Sequence, residues 1–178
     1  MGRVHEAEPV KPFCAMLAGE KEWLDLAVRC LAESLGVVES VSEDWSFGST
    51  DYYEGQMGPG LVRRIVSFRD LMDPAEIATW KLFANGLERR LAARIEGGPE
   101  RPVNLDPGYV ACSKLVLATT KNYTHRMYLG RGIYAEVTLR WRGGRFDPLE
   151  WTYPDYRTER YRDFFARVRE RYMEQRHG

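Results

Sequence analysis

The feature that most constrains this fold is a short apolar run at residues 13–18, Phe-Cys-Ala-Met-Leu-Ala. A continuous apolar run of this length predicts a strand covered on both faces, and therefore one near the centre of a sheet. Gly19 ends the run, and a helical pattern follows until Gly36 supplies a stop. The apolar positions of that helix are Trp23, Leu26, Ala27, Cys30 and Leu31. The chain is thus predicted to begin as strand, turn and helix.

Two further strands are predicted before the next helix. Residues 37–47 alternate between apolar and polar side chains in their second half, which favours a strand with one exposed face. Residues 48–60 contain four glycines and Pro59, so they predict a loop, and a loop of this length in a compact domain is often functional. Residues 61–68 are rich in β-branched and aromatic side chains and predict another strand.

The second helix has the clearest local signature in the chain. Asp73 is placed to accept backbone N–H groups as the N-cap, Pro74 suits the first helical position, and Glu76 completes an Asp-x-x-Glu box. The glycines and proline of residues 97–99 end the helix. Its apolar stripe consists of Ile77, Trp80, Ala84, Leu87 and Leu91. This pattern predicts a capped helix that packs one face on the core.

A fourth strand, at residues 103–105 or at residues 110–112, completes a strand-helix-strand-strand-helix-strand order. This order predicts an α+β fold with a ferredoxin-like βαββαβ core. We interpret residues 1–178 as a single α+β domain in which residues 1–11, polar and containing a proline, form a loose lead-in segment.

An additional antiparallel hairpin and a C-terminal helix are predicted after this core. The hairpin joins residues 124–129 to residues 133–142 about Gly-Arg-Gly, and Gly143-Gly144 predicts a second, two-residue turn. The hairpin's second strand directs its apolar face, which includes Ala135 and Val137, toward the core. In the final helix, the residues that recur on one face are Tyr161, Phe165, Val168 and Tyr172.

Composition excludes several classes of protein. The 26 basic and 26 acidic residues balance, so bulk charge does not favour a polyanion, and nucleic-acid recognition would need a local patch. No apolar run reaches the length of a membrane span or a signal peptide, so we expect a cytoplasmic protein without membrane contact. The three cysteines are far apart and predict buried free thiols, and no metal or cofactor motif is present.

Residues 104–140 concentrate the chemistry of the chain and predict a polar ligand site. Anion donors there are Thr119, Thr120, Lys121 and Arg126, and the proton-transfer candidates are His125, Glu136 and Asp106. Further ligand contacts are expected from Tyr53, Asp155, Tyr156 and Arg157. The sequence contains no Gly-x-Ser-x-Gly elbow and no Cys-His pairing, so binding is predicted and turnover is left open.

Each catalytic candidate also has a structural interpretation. Asp106 with Pro107 and Gly108 has the chemistry of a type II turn, and that role is favoured over catalysis. Glu136 lies on the polar side of its strand, where it either meets solvent, the default for an isolated acid, or lines a pocket with Tyr134, Thr138 and Arg140. If Thr124 begins a strand, His125 and the residue after it point to opposite faces, so at most one of them can share a face with Glu136.

Several longer motifs resemble one known family. They are residues 104–109 (Asn-Leu-Asp-Pro-Gly-Tyr), 117–121 (Leu-Ala-Thr-Thr-Lys), 125–126 (His-Arg), 132–139 (Gly-Ile-Tyr-Ala-Glu-Val-Thr-Leu) and 151–157 (Trp-Thr-Tyr-Pro-Asp-Tyr-Arg). With residues 51–53 and 57–58, they make nearly the whole chain similar to an uncharacterised bacterial family, domain-of-unknown-function family 4416. Some members carry the label GTP-binding protein. This sequence departs from that label, because it lacks the Gly-x-x-x-x-Gly-Lys-[Ser/Thr] loop that cradles phosphates.

Two functions from different classes follow from these residues. The first is binding of a small phosphorylated or carboxylated ligand, a nucleotide among the options, in a polar pocket. The alternative is an interaction module or a single-stranded RNA accessory protein, in which tyrosines and arginines form an open face for bases and phosphates. The sequence identifies no protein partner. The two functions differ in one testable respect, whether the polar residues converge on a concavity.

Overall fold

The computed structural model describes residues 2–48 and 54–177, and these form a mixed α/β fold around a nine-stranded antiparallel sheet. The strands are β1 (Lys11–Ala18), β2 (Val38–Val41), β3 (Trp45–Ser46), β4 (Val62–Phe68), β5 (Val103–Val110), β6 (Lys114–Thr119), β7 (Met127–Gly130), β8 (Ile133–Arg142) and β9 (Arg145–Pro148). The helices are α1 (Lys21–Leu35), α2 (Glu54–Met57), α3 (Ile77–Arg94) and α4 (Glu159–His177), with 3-10 turns at Pro74–Glu76 and Asp155–Arg157. No described helix has the length and apolarity needed to cross a membrane.

Strand β1 lies inside the sheet, as its sequence predicts. The strand order is β2-β4-β1-β5-β6-β8-β7, with β3 also pairing with β4 and β9 also pairing with β8. All eight residues of β1 are buried, and the strand pairs with β4 on one side and β5 on the other. The prediction of an α+β architecture is confirmed, although the sheet is larger than a four-stranded core.

Two hydrophobic cores cover the two faces of β1. Cys14 and Met16 point toward α1 and α3, whereas Phe13 and Ala15 point toward α4. This alternation explains why the run is apolar at every position, since successive side chains enter the two cores in turn. In the second core, the aromatic ring of Phe165 lies 4.7 Å from that of Phe13 in an edge-to-face arrangement.

Strand β5 runs straight through the segment predicted as a turn, so that interpretation of Asp106 is wrong. Asp106, Pro107 and Gly108 pair continuously with β1, and Gly108 lies opposite Phe13. A Cβ on Gly108 would meet the Phe13 ring at 2.5 Å and the carbonyl oxygen of Val116. Glycine is therefore required here by close approach within the sheet rather than by a turn.

The sheet splits between β5 and β6, and this split was not predicted. The two strands pair only through residues 108–110 and 115–117. Beyond them, the Leu105 N–H donates to Oε1 of Glu88 at 2.7 Å, and the Leu105 carbonyl accepts from Nζ of Lys81 at 2.8 Å. Side chains of α3 thus satisfy backbone groups that a neighbouring strand would otherwise pair. The two strands diverge and leave a gap in the sheet.

The segment predicted as one strand at residues 37–47 forms two short strands instead. Between β2 and β3, Ser42 exchanges hydrogen bonds with Ile65, through its backbone N–H to the Ile65 carbonyl and through its hydroxyl from the Ile65 N–H. This side-chain bond replaces one ladder bond and breaks the strand. In the following segment, predicted as a loop, the described part contains α2, and residues 49–53 lie outside the described residues.

Both predicted hairpins are confirmed. The turn between β7 and β8 has positive φ angles at Gly130, Arg131 and Gly132, and the turn between β8 and β9 has them at Gly143 and Gly144. Positive φ at both central residues is the geometry that a two-residue hairpin turn needs, and glycine adopts it without strain.

The Asp73 cap gives a modest, measurable prediction. Its carboxylate accepts the Ala75 N–H at 2.8 Å, as predicted. We expect Asp73→Ala to lower the free energy of unfolding by about 1 kcal/mol, because one backbone donor at the helix start loses its partner. Urea denaturation measures the change. Glu33→Ala, which removes an exposed acid from α1, is the control; an equal loss in both variants would contradict a capping role.

Candidate functional site

A cavity of about 650 Å³ opens where β5 and β6 diverge. Helix α3 forms one wall, β4 and β5 contribute residues beneath, and the ends of β6 and β8 with residues 153–156 form the opposite wall. Because the cavity extends into a split in the sheet, side chains from helix α3 and from the strands of the sheet both reach it.

Most of the predicted site residues line this cavity. They are Asp106, Thr119, Thr120, Lys121, Glu136, Asp155 and Tyr156. Residues 50 positions apart in sequence meet here because β5, β6 and β8 are consecutive in the sheet and the 3-10 turn at 155–157 packs beside them.

Three other predicted residues, all within the described part of the chain, do not line the cavity. His125 lies in a separate shallow depression, stacked on Trp151 with a ring separation of 5.1 Å. Arg126 donates a hydrogen bond to the Glu136 carboxylate but is not itself part of the cavity lining. The Arg157 guanidinium donates to backbone carbonyls of residues 149, 150 and 152 and so holds the preceding loop. Tyr53 lies outside the described residues.

Glu136 is buried, so the expectation of solvent exposure is wrong. Only 2% of the residue is exposed, and its Oε2 lies 3.0 Å from Nε2 of His125 and 2.7 Å from Nε of Arg126. The Thr138 hydroxyl donates to Oε1 at 3.3 Å. Strand β7 begins only at Met127, so His125 and Arg126 precede it and both reach the same carboxylate. The expected separation of the two side chains assumed a strand that starts earlier.

Arg126 fixes one rim of the cavity. Besides Glu136, its guanidinium donates to the hydroxyl of Tyr153 at 2.6 Å and to the backbone carbonyl of Lys121 at 3.0 Å. Burial acts to lower the pKa of Arg126, but the hydrogen bond to Glu136 and the charges around it raise that pKa above its usual value. The side chain stays charged and connects β8, the 121–126 segment and residue 153.

Arg63 forms the floor and was not predicted as a site residue. It is 4% exposed, and its Nη1 and Nη2 lie 3.4 Å from Asp106 and 3.5 Å from Asp155. Its guanidinium lies over the Phe47 ring at 4.8 Å. Neither Nε of Arg63 nor the hydroxyl of Tyr156 has a hydrogen-bond partner within the described part of the chain, although both atoms are buried.

The pKa values of the two aspartates beside Arg63 are shifted in opposite directions. Burial raises the pKa of Asp155 above its ordinary value, and the charge of Arg63 opposes only part of this rise. Burial also acts to raise the pKa of Asp106, but the charges of Lys81 and Arg63 and a hydrogen bond from Asn104 hold it below the usual value. Asp106 is therefore the firmly ionised member of the pair.

The wall formed by α3 is also absent from the sequence prediction. Lys81, Asn85, Glu88 and Arg89 line the cavity from this helix. Glu88 accepts from Arg101 at 2.8 Å, and Arg101 also donates to Asn104. The available signal was the spacing i, i+4, i+7, i+8, which places four polar side chains on one helix face. Such a stripe is usually solvated, so the spacing alone does not indicate a site.

Fold and site together define an α+β protein with a polar, mixed-charge cavity set into a split antiparallel sheet. The sequence matches the family described as Domain of unknown function (DUF4416) over residues 8–172, and the chain belongs to that family. No curated protein and no solved structure matches it.

Proposed function

We propose that the protein binds a small phosphorylated or carboxylated ligand, nucleotides included, in this cavity. The observation that carries the proposal is the excess of hydrogen-bond donors over free acceptors on its walls. Among the described lining residues, the basic ones are Arg63, Lys81, Arg89, Arg101 and Lys121, and the acidic ones are Glu88, Asp106, Glu136 and Asp155. Each of the four acids already accepts from a protein cation.

Three of these cations, Lys81, Arg89 and Arg101, retain donors that no group of the described residues uses. Lys81 has three N–H groups and places one on the Leu105 carbonyl, with Asp106 at a longer 3.5 Å. Arg101 donates through Nε and Nη2, and its Nη1 has no partner among the described residues. No carboxylate of the described residues forms a salt bridge with Arg89. A ligand rich in acceptor oxygens would satisfy these donors.

The size of the cavity favours a small molecule. Ligand sites commonly enclose roughly 300–1,000 Å³, and this cavity falls within that range. Of the three predicted proton-transfer residues, Asp106 and Glu136 line the cavity, so within the proposal these two are placed to contact a bound ligand directly. His125 contacts Glu136 from the other side, so it would act on the ligand only through that carboxylate.

We further infer that β1, α1, β2, β4, α3 and β5 form a ferredoxin-like core. Support comes from the antiparallel order β2-β4-β1-β5 and from the packing of α1 and α3 on one face of the sheet. Strands β6 to β9 and helix α4 would then be additions, and the cavity would lie at the junction between the core and the additions.

The proposal is tested by thermal unfolding with a panel of nucleotides, sugar phosphates and dicarboxylates. A ligand at 100 times its dissociation constant is expected to stabilise the native state by about 2.7 kcal/mol. Arg89 and Arg90 are adjacent and both exposed, but only Arg89 lines the cavity. We expect Arg89→Ala to weaken binding about tenfold through loss of a charge-assisted hydrogen bond, and Arg90→Ala to leave it unchanged. Equal effects of the two variants, or no stabilising ligand, would contradict the proposal.

The second candidate function is an interaction module or RNA accessory protein, and one observation favours it. Tyr123, Met127 and Tyr128 lie along the edge strand β7 and the segment before it, each more than 60% exposed. Exposed apolar side chains on a sheet edge are typical of contacts with another chain. Arg63 and Tyr156 are buried, however, and cannot belong to an open face. Stabilisation by short RNA that fades as salt rises would support this candidate.

A further inference from the structure

We propose that Arg63 binds the anionic group of the ligand at the inner end of the cavity, where that group takes the place of Asp155 and also accepts a hydrogen bond from Tyr156. The ligand class is a carboxylate or phosphate small enough to reach a buried guanidinium. This inference rests on the proposed function and adds to it the position of the anion. It moves the expected anion site from the predicted segment, Lys121 to Arg126, to a side chain on β4.

The first argument is the incomplete pairing of a buried cation. Charge-assisted N–H to carboxylate bonds are usually about 2.7–2.9 Å long. Arg63 is 4% exposed, yet its contacts to Asp106 and Asp155 are 3.4 and 3.5 Å, and its Nε has no partner in the described residues. Buried charged groups that lack full hydrogen bonding destabilise a protein, so this arrangement suits a site completed by a ligand.

The second argument is the neighbouring phenol. Tyr156 is 3% exposed and lines the cavity, and its hydroxyl has no partner among the described side chains or backbone groups. Burial raises the pKa of Tyr156 well above its usual value against the opposing charge of Arg63, so the hydroxyl keeps its proton and remains a donor. An oxygen accepting from both Arg63 and Tyr156 would satisfy two buried polar groups at once.

The third argument is charge balance. Arg63 carries one positive charge and faces two carboxylates, so a further anion requires one of them to be neutralised. Asp106 is also held by Lys81 and Asn104 and stays ionised. Asp155 is 8% exposed and has one long contact to a cation. Asp155 is therefore the carboxylate that we expect to become neutral, by taking up a proton, when the anion binds.

The proton uptake has a definite sign. The titratable and charged groups facing Asp155 are Arg63 from β4, Asp106 from β5, Tyr156 from its own turn and Tyr161 from α4. A bound anion beside Asp155 raises its pKa further, because like charges disfavour ionisation. Anion affinity is therefore expected to fall as pH rises above the pKa of Asp155 in the free protein and to level off above its pKa in the complex, and binding between these two pKa values is expected to consume a proton.

The test uses isothermal titration of the full chain with inorganic phosphate and with succinate, at constant ionic strength, in two buffers of different ionisation enthalpy. In the wild type, the difference between buffers is expected to report proton uptake. Asp155→Asn keeps the shape of the side chain but removes its charge, so we expect about tenfold tighter binding and no proton uptake. Tyr156→Phe is expected to bind several-fold more weakly with proton uptake retained. Asp147→Asn, on the exposed hairpin, is the control.

The outcomes separate this inference from the proposed function. Anion binding that Arg89→Ala weakens, while Asp155→Asn and Tyr156→Phe change neither affinity nor proton uptake, would overturn the Arg63 site and leave the pocket proposal standing. Absence of binding by phosphate, by succinate and by every member of the larger panel would overturn both. Because neither test variant removes Arg63, the buried cation stays in place and both proteins are expected to fold.

Discussion

Replacing Gly108 with alanine is expected to lower the free energy of unfolding by about 3 kcal/mol. The added methyl would lie 2.5 Å from Cζ of Phe13 and in contact with the carbonyl oxygen of Val116. Phe13 is fully buried and packs on Phe165, so its ring has no free space to move into. Overpacking of a core commonly destabilises by about 1–3 kcal/mol, and here one of the clashing groups is backbone that cannot change rotamer.

Chemical denaturation and the thermal midpoint both measure this effect. Gly55→Ala is the matched control, because no atom lies within 4 Å of the position that its Cβ would occupy. A Gly108→Ala variant as stable as the control would contradict the close packing of β5 on Phe13, and would return Asp106-Pro107-Gly108 to its interpretation as a turn.

Glu136→Ala is expected to destabilise the protein by about 3–5 kcal/mol, the range for removing one partner of a buried ion pair. Arg126 would lose a 2.7 Å bond to its counterion while its side chain remains only 8% exposed. His125, stacked on Trp151, would lose its contact with the same carboxylate. The loss is larger than for a surface pair because the stranded guanidinium cannot regain full hydration.

A double-mutant cycle distinguishes this mechanism from simple loss of packing. Arg126→Ala combined with Glu136→Ala is expected to cost less than the sum of the two single changes, because the second removal takes away a charge that is already unpaired. Glu150→Ala, an exposed glutamate near the same depression, is the control. Additive losses in the cycle would show that Glu136 and Arg126 do not stabilise one another.

Elements governed by local chemistry were predictable from the sequence. Asp73 caps its helix as expected because a side chain and a backbone N–H two residues apart suffice for that bond. The glycine turns of both hairpins likewise depend on adjacent residues alone. Strand β1 was predictable because burial on both faces leaves a continuous apolar run.

Features that depend on distant residues were not predictable. Asp106-Pro107-Gly108 has local turn chemistry, but packing against Phe13, more than ninety positions away, fixes an extended strand. The split between β5 and β6 depends on Lys81 and Glu88 reaching Leu105 from another layer. No local pattern distinguishes these two side chains from an ordinary solvated helix face.

The residues of the candidate site divide in the same way, into those that local sequence predicts and those that depend on distant parts of the chain. The segment from Thr119 to Lys121 was found because its polar residues are contiguous. Arg63 was missed because it stands beside Arg64 in a strand, where basic residues are expected to face solvent. Only the tertiary structure brings Arg63 beside Asp106 and Asp155.

The position of α4 has a consequence for synthesis on the ribosome. This helix supplies Phe164, Phe165 and Val168 to the core that covers Phe13 and Ala15, which were translated roughly 150 residues earlier. Until α4 has emerged from the exit tunnel, a nascent chain exposes one apolar face of its central strand. Such a face is a binding surface for chaperones and a route to aggregation. Folding of this sheet can therefore be completed only after α4 has been translated, whatever the speed at which its earlier strands pair.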